Sequence, residues 1–421
     1  MKILIVNGHS MRNAGYVAMY LATDQILRQS FGPEPVDIIW SVNHLEEHDD
    51  YRSAKIVPSF CHIAKPDGRW RITRFLRLIW WSVIILIRAR MGMHNIPHYV
   101  PWREMYVAYV NADAVLSCPG NFLYTSGRVG AAFMFDMYAL AFARWLGKPL
   151  YMLPQTLGPI EREYERRLLR WLLPAFRLIF VRDTISQELC HTLCPYLTRL
   201  HVCPDLAFAF HVDTTTITID SGSVHTALSE RPVLGVTALN WGEQNCEFSG
   251  QDAYEAAIAE AVHHFITHYG GRAVFFAHVQ GPTPADDDRR TLQRILQRLD
   301  AVREFVTLAD IAHPASFVTA YQHLDIMLGS RLHSCILALT VTVPVLAIAY
   351  QYKTPGVLST AGLDHWYVPI TGLTATALCH ALDTLWVQRA DVRKHIAEVI
   401  PNLAAECVTI GIRIRDDYHL C

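Results

Sequence analysis

The sequence predicts an α/β protein built of two Rossmann-like domains facing a cleft. Three observations carry that expectation. At 421 residues the chain is too long for one ordinary core. Short apolar runs alternate with helix-patterned stretches along most of it, which is how parallel sheets covered on both faces read. The alternation is broken once, at 211–231, by a polar stretch poor in large apolar residues. We therefore take 1–215 as an N-terminal domain, 216–231 as a linker and 232–421 as a C-terminal domain.

The N-terminal series opens on a strand at Lys2–Asn7, a Gly/Ser/Asn loop and a helix from about Tyr16. Strands follow at Ala114–Ser117, Leu150–Leu153 and Leu178–Val181, with a helix around Phe133–Leu146 that stops at Gly147. The second series runs through Pro232–Thr237, Ala273–Phe276, Ile326–Leu328 and Val345–Ala349. Ligands of such sheets bind outside the carboxyl ends of the strands.

Composition excludes several classes. With 51% hydrophobic and 18% charged residues the chain is far from disorder, and a formal net charge of −2 lacks the basic excess of a nucleic-acid partner. Ten cysteines are scattered without a CxxC pair, so neither a zinc site nor a disulfide framework is expected. The apolar run Ile3–Val6 is too short for a secretion signal, which points to the cytoplasm.

One helix near 70–91 stands apart. Phe75–Ile87 is nearly all apolar but too short to span a bilayer, which takes about 20 residues. Lys65, Arg69, Arg71, Arg74, Arg77, Arg88 and Arg90 flank and interrupt it against the single acid Asp67, and it carries Trp80 and Trp81. Two readings stand: peripheral contact with the inner membrane surface, or a buried helix with solvated ends.

The strongest local signal for chemistry is Gly329-Ser330-Arg331-Leu332-His333-Ser334, between a strand and an apolar helix. Free N–H groups at a helix start favour an anion. Arg331 can fork onto a carboxylate or phosphate, and His333 can move a proton near neutral pH. Read structurally, Ser330 caps the helix while Arg331 and His333 pair with acids. Lys353 follows the strand Val345–Ala349, and no acid occurs from Ser334 to Leu363. His9, Asn13, Asn121 and Gln155 lie in loops after strands and could contact sugar hydroxyls; His278 also follows a strand. Asp286-Asp287-Asp288 reads as helix-start charge rather than a metal cluster.

The succession of strand, Gly-Ser-Arg-Leu-His-Ser, helix, Pro344, strand and Tyr350-x-x-Lys353 resembles the C-terminal signature of the polysaccharide pyruvyl transferases. Asn13-Ala14-Gly15, Gln155-Thr-Leu-Gly-Pro159, Arg182-Asp183-x-x-Ser186 and Pro204-Asp205-x-Ala207-Phe208 resemble that family's other motifs in order. The resemblance implies a GT-B-like fold, phosphoenolpyruvate (PEP) as donor and a sugar or lipid-linked oligosaccharide as acceptor. It assigns Arg331 and His333 to PEP and catalysis, with Arg182 reaching the same anion; on the residues' own chemistry Ser330 and Lys353 join them. It places the acceptor on the N-terminal loops with His9, Asn13, Asn121 and Gln155. No cofactor or metal is expected. Three departures stand out: Tyr16 where relatives carry an acid, Cys118-Pro119-Gly120 where they carry a glycine run, and Leu239 where many carry arginine. A GT-B glycosyltransferase using a nucleotide sugar, and a non-catalytic carbohydrate-binding member of the export machinery, are the alternatives.

Overall fold

A computed structural model describes residues 1–32, 35–45, 54–65, 71–125, 130–212, 222–245, 248–351 and 353–420. Two compact units emerge, each with its own sheet. Unit 1 comprises 1–11, 23–206 and 406–421; unit 2 comprises 12–22 and 207–405.

Unit 1 contains seven strands: β1 (Lys2–Gly8), β2 (Asp37–Val42), β3 (Lys55–Pro58), β4 (Ala114–Ser117), β5 (Leu150–Gln155), β6 (Phe176–Val181) and β7 (Leu200–Val202). They pair in parallel in the order β3-β2-β1-β4-β5-β6-β7. Unit 2 contains β8 (Val233–Thr237), β9 (Arg272–Phe276), β10 (Val306–Ala309), β11 (Ile326–Gly329), β12 (Val345–Ala349) and β13 (Tyr367–Pro369). These are parallel in the order β10-β9-β8-β11-β12-β13. Every residue of β4, β5, β8 and β11 is buried, because helices cover both faces. That is why these strands are unbroken apolar runs rather than alternating ones. In unit 1 the chain order reverses between β1 and β4, in unit 2 between β8 and β11. Those reversals are where ligand crevices open in such sheets.

The strands expected from the sequence are the inner ones and their neighbours. The strands it did not announce, β2, β3, β7, β10 and β13, all lie toward the edges, where partial exposure breaks up the apolar run. The Ala131–Trp145 helix ends as expected: Gly147 adopts φ +72°, a left-handed value that glycine tolerates without strain.

The domain division differs from the simple split expected. Two segments change places, because the Ala14–Phe31 and Ala375–His419 helices each pass from one unit to the other part-way along. The supposed linker falls inside unit 2. Residues 213–221 lie outside the described residues, but Gly222–Ser229 is a helix that buries Val224, Ala227 and Leu228, an i, i+3, i+4 stripe.

Arg182, taken from the sequence as a second anion-binding cation, has another task. Only 2% exposed, it donates through Nε to Thr156 Oγ1 and pairs with the fully buried Asp205. The Asp205 carbonyl in turn accepts from Cys407 Sγ. The guanidinium thus ties the end of β6 to the chain that follows β7. Asp205→Ala should leave an uncompensated buried charge and lower stability by about 3–5 kcal/mol in urea denaturation. A loss under about 1 kcal/mol would show that the pair is dispensable.

Candidate functional site

In unit 2, polar groups collect at the carboxyl ends of β8, β9, β11 and β12. β11 ends at Gly329, where an added Cβ would collide with Cys335 Sγ, so the chain turns tightly into the Leu332–Thr340 helix. Ser330 is held inward. Its Oγ accepts from Tyr254 Oη at 2.7 Å, and its N–H reaches the carbonyl of Thr237. At 1% exposure its hydroxyl braces the turn.

Arg331 follows. Its Nε and Nη2 donate to Asp288 at 3.1 and 2.6 Å, and Asp288 is fully buried. Burial opposes the arginine's charge, but Asp288 and then Tyr350 outweigh it and hold the pKa above its ordinary value. The Nη1 end of the fork is left by Asp288. The sequence reading of an acid-free cationic rim is therefore corrected: no acid lies in the local segment, yet one arrives from 43 residues away. It faces the arginine and is shut off from solvent. Its neighbour Asp287 caps the Asp288–Leu296 helix by accepting from the Arg289 N–H.

Past β12, Lys353 Nζ lies 5.3 Å from the centre of the Tyr350 ring. Burial alone would raise the Tyr350 pKa, but the charges of Lys353 and Arg331 reverse this and lower it. The ring rests 4.7 Å from Trp241. Asn240, buried at the end of β8, has a side-chain nitrogen with no partner. Tyr350 was singled out only as the first residue of the Tyr350-x-x-Lys353 motif, and Asn240 not as a site residue. The only sequence signal of Asn240 is its position just past the end of β8, two places from β12 in the sheet.

His333 lies against the start of the 14–31 helix. A Cβ on Gly15 would strike the His333 ring, so glycine there lets the imidazole approach the backbone. Tyr16 is 6.2 Å from the same ring. Asn13 caps that helix, its Oδ1 accepting from the Gly15 N–H at 3.0 Å and the Tyr16 N–H at 3.3 Å. It also bridges to Val279, and the Ala14 N–H donates to the His278 carbonyl. Asn13, expected with the N-terminal acceptor loops, thus belongs to unit 2, among the residues expected to hold the donor. His278 stacks on Phe317 at 4.5 Å; burial, then the nearby His333 and Arg331, push its pKa well below the ordinary value.

In unit 1 a second polar group sits at the ends of β1, β4 and β5. Gln155 is fully buried and donates to Ser117 Oγ at 2.7 Å, while its Oε1 has no partner. Asn121 Oδ1 is likewise buried and unpartnered. His9 packs 5.6 Å from Phe122, and burial, assisted by His44, lowers its pKa to about 4. The sequence had proposed His9, Asn121 and Gln155 together, and the sheet brings them together. Among the described residues no group of three His, Cys, Asp or Glu side chains converges as a metal site.

Comparisons with known proteins fit this architecture. The polysaccharide pyruvyl transferase family model matches residues 13–352. The amylovoran biosynthesis protein AmsJ of Erwinia amylovora is 24% identical over 292 residues, covering 65% of this chain and 68% of that protein. Among solved structures, the UDP-GlcNAc 2-epimerase of Neisseria meningitidis superposes with a TM-score of 0.59 at 15% identity, over 98% of this chain and 99% of that one. HepE of Anabaena gives 0.57 at 12% identity over 100% of both chains. These likenesses show the fold alone: two Rossmann-like domains of the GT-B class.

His9 and His278 yield a pH dependence. Both stay neutral in the folded chain below the pH, about 6.5, at which the unfolded chain takes up protons. The unfolded state then binds more protons, so stability should fall as pH drops from about 7 toward 4. Thermal melts across that range should show the decline, and His278→Phe should flatten it. An unchanged slope in the variant would remove His278 from the account.

Proposed function

The chain belongs to the polysaccharide pyruvyl transferase family, transferases of exopolysaccharide biosynthesis, and on that premise we propose that it moves the three-carbon unit of PEP onto two hydroxyls of a sugar. The product is a cyclic ketal on a sugar or lipid-linked oligosaccharide of a repeat unit. The reaction runs in the cytoplasm, at the inner face of the membrane.

The observation that supports the donor is that the charges of Arg331 and Lys353 both reach Tyr350, with Lys353 Nζ 5.3 Å from its ring and His333 two residues beyond Arg331. PEP carries a carboxylate and a phosphate, and two fixed cations match two anionic groups. Asp288 is a positioning residue: it occupies one edge of the Arg331 fork and leaves Nη1 for the ligand. His333 gives a proton to the methylene carbon of PEP, leaving an oxocarbenium-like centre at C2. A sugar hydroxyl attacks that centre and loses its proton, the C2–O bond breaks, and phosphate departs with the bonding pair. Loss of phosphate leaves C2 oxocarbenium-like again; the second hydroxyl attacks it and gives its proton to the departing phosphate, while the first hydroxyl's proton returns to His333, and the ketal closes. Asn121, Gln155 and His9 offer acceptors and a neutral imidazole suited to hydroxyl groups. Because two side-chain cations offset the charge of the phosphate, the reaction as proposed uses no metal or other cofactor.

Two experiments test this reading. PEP, in buffer containing EDTA, should raise the melting temperature, while UDP- and GDP-sugars should not. Stabilisation by a nucleotide sugar with none by PEP would overturn the donor. Separately, His333→Gln should bind PEP almost normally while kcat drops by about 10² to 10⁴. Turnover close to wild type would move the proton-donor role to another residue.

A further inference from the structure

The Ile72–Arg90 helix is apolar on two opposite sides, and only one is used by the fold. Leu78, Ser82 and Ile85 form its buried seam, where Ser82 Oγ bonds the Leu78 carbonyl and meets Tyr106 Oη at 3.1 Å. Phe75 leans on Phe135 and Trp81 on Tyr99, at 5.9 and 6.2 Å. Ile72, Leu76, Trp80, Val83 and Ile87 recur at three- and four-residue spacing on the opposite face, and Met91 extends the row. All six are exposed, Trp80 by 66% and Ile72 by 73%. A contiguous apolar row of this size on a folded chain marks an interaction surface.

Charge identifies what covers it. Arg77 and Arg90 lie on or beside the row, Arg71 stands at its start, Arg88 lies further round and Arg74 falls on the seam side four residues before Leu78; no acid occurs from Gly68 to Arg103. Arg69 lies outside the described residues. A second copy of the same face would set arginine against arginine with no acid to offset them. A lipid surface with anionic headgroups instead takes the cations at headgroup level and the apolar row at the acyl boundary. Trp80, amphipathic and in the middle of the row, suits that boundary. The 19-residue helix is about 28 Å long, and Arg74 and Arg77 fall inside it, so it lies on the bilayer rather than across it. The one described helix long and apolar enough to cross a membrane, Ala375–His419, buries a stripe from Leu378 to Ile414 within the fold.

We propose that the Ile72–Arg90 helix is an in-plane anchor, which holds the protein on an anionic leaflet through Leu76, Trp80 and Ile87 flanked by Arg71, Arg77 and Arg90. This names the surface behind the membrane-face location proposed above and requires nothing of the donor. The test is co-flotation of the full chain with vesicles. Wild type should float with mixed phosphatidylglycerol–phosphatidylcholine vesicles, scarcely with phosphatidylcholine alone, and less as salt rises. Leu76→Ser/Trp80→Ser/Ile87→Ser should lower partitioning by about two orders of magnitude. Arg71→Gln/Arg77→Gln/Arg90→Gln should lower it by at least about tenfold at low salt, and much less at high salt. Every substituted side chain is at least partly exposed, and an unchanged circular-dichroism melt verifies that each variant is folded. No flotation of wild type at low salt, or undiminished flotation of the apolar triple variant, would overturn the proposal. So would a dimer in light scattering that the same variant dissociates, since the face would then belong to a second copy. Flotation without a PEP thermal shift would sink the donor assignment alone; the shift without flotation would sink only the anchor.

Discussion

Arg331 and Asp288 form the contact on which the arrangement of unit 2 depends. A carboxylate removed from water is costly, and here the return comes from a two-nitrogen grip by the guanidinium and a bond from the Val279 N–H at 2.9 Å. The Val279 segment bridges to Asn13, Asn13 caps the helix that begins at Ala14, and Gly15 in that helix lies against His333. The path then returns to Arg331, two residues before His333. An arginine, an acid, a strand-end loop, a helix cap and a histidine therefore constrain one another. Loosening the ion pair would free the loop after β9 and, with it, the surface on which the His333 ring rests.

The two polar clusters share a design. In each unit the central parallel strands are sealed on both faces, so polar groups can gather only where the strands end. There, buried atoms are left without protein partners: Asn240 nitrogen in unit 2, Gln155 and Asn121 oxygens in unit 1. An unpaired buried polar atom is costly in a fold with no ligand to bind. Their chemistry differs by unit. Unit 2 adds arginine and lysine, which suit a small dianionic or trianionic molecule; unit 1 supplies uncharged amides and a neutral histidine, which suit hydroxyls. Arg182 illustrates the boundary between the two uses of charge. Although it too lies just past a strand end, Asp205 and Thr156 surround it, and it acts on the fold.

The helix at 72–90 follows another logic. A helix with apolar residues all round is expected to be buried or to meet lipid. This one is buried on one side and leaves an apolar row exposed on the other, which is why its composition supported both readings. Ser82 at the seam and Trp80 on the far side are two positions apart in sequence and face opposite surroundings.

Much was legible from the sequence alone. The buried central strands stand out because burial on both faces demands unbroken apolar runs, and short motifs such as Gly329–Ser334 and Tyr350-x-x-Lys353 lie at those strands' ends whatever the details of packing. Periodicity and local composition are encoded by neighbours in the chain, so fold class and family followed from them. The tertiary structure alone decided the partners of the charges. Asp288 meets Arg331 across 43 residues, Asp205 claims Arg182 across 23, and the loop at Asn13 joins a unit whose other residues begin at 207. Ion pairs and burial are settled by which strands the topology sets side by side. A linear pattern shows that an arginine is present, but whether it faces a ligand or an acid depends on contacts that exist only after the chain has folded.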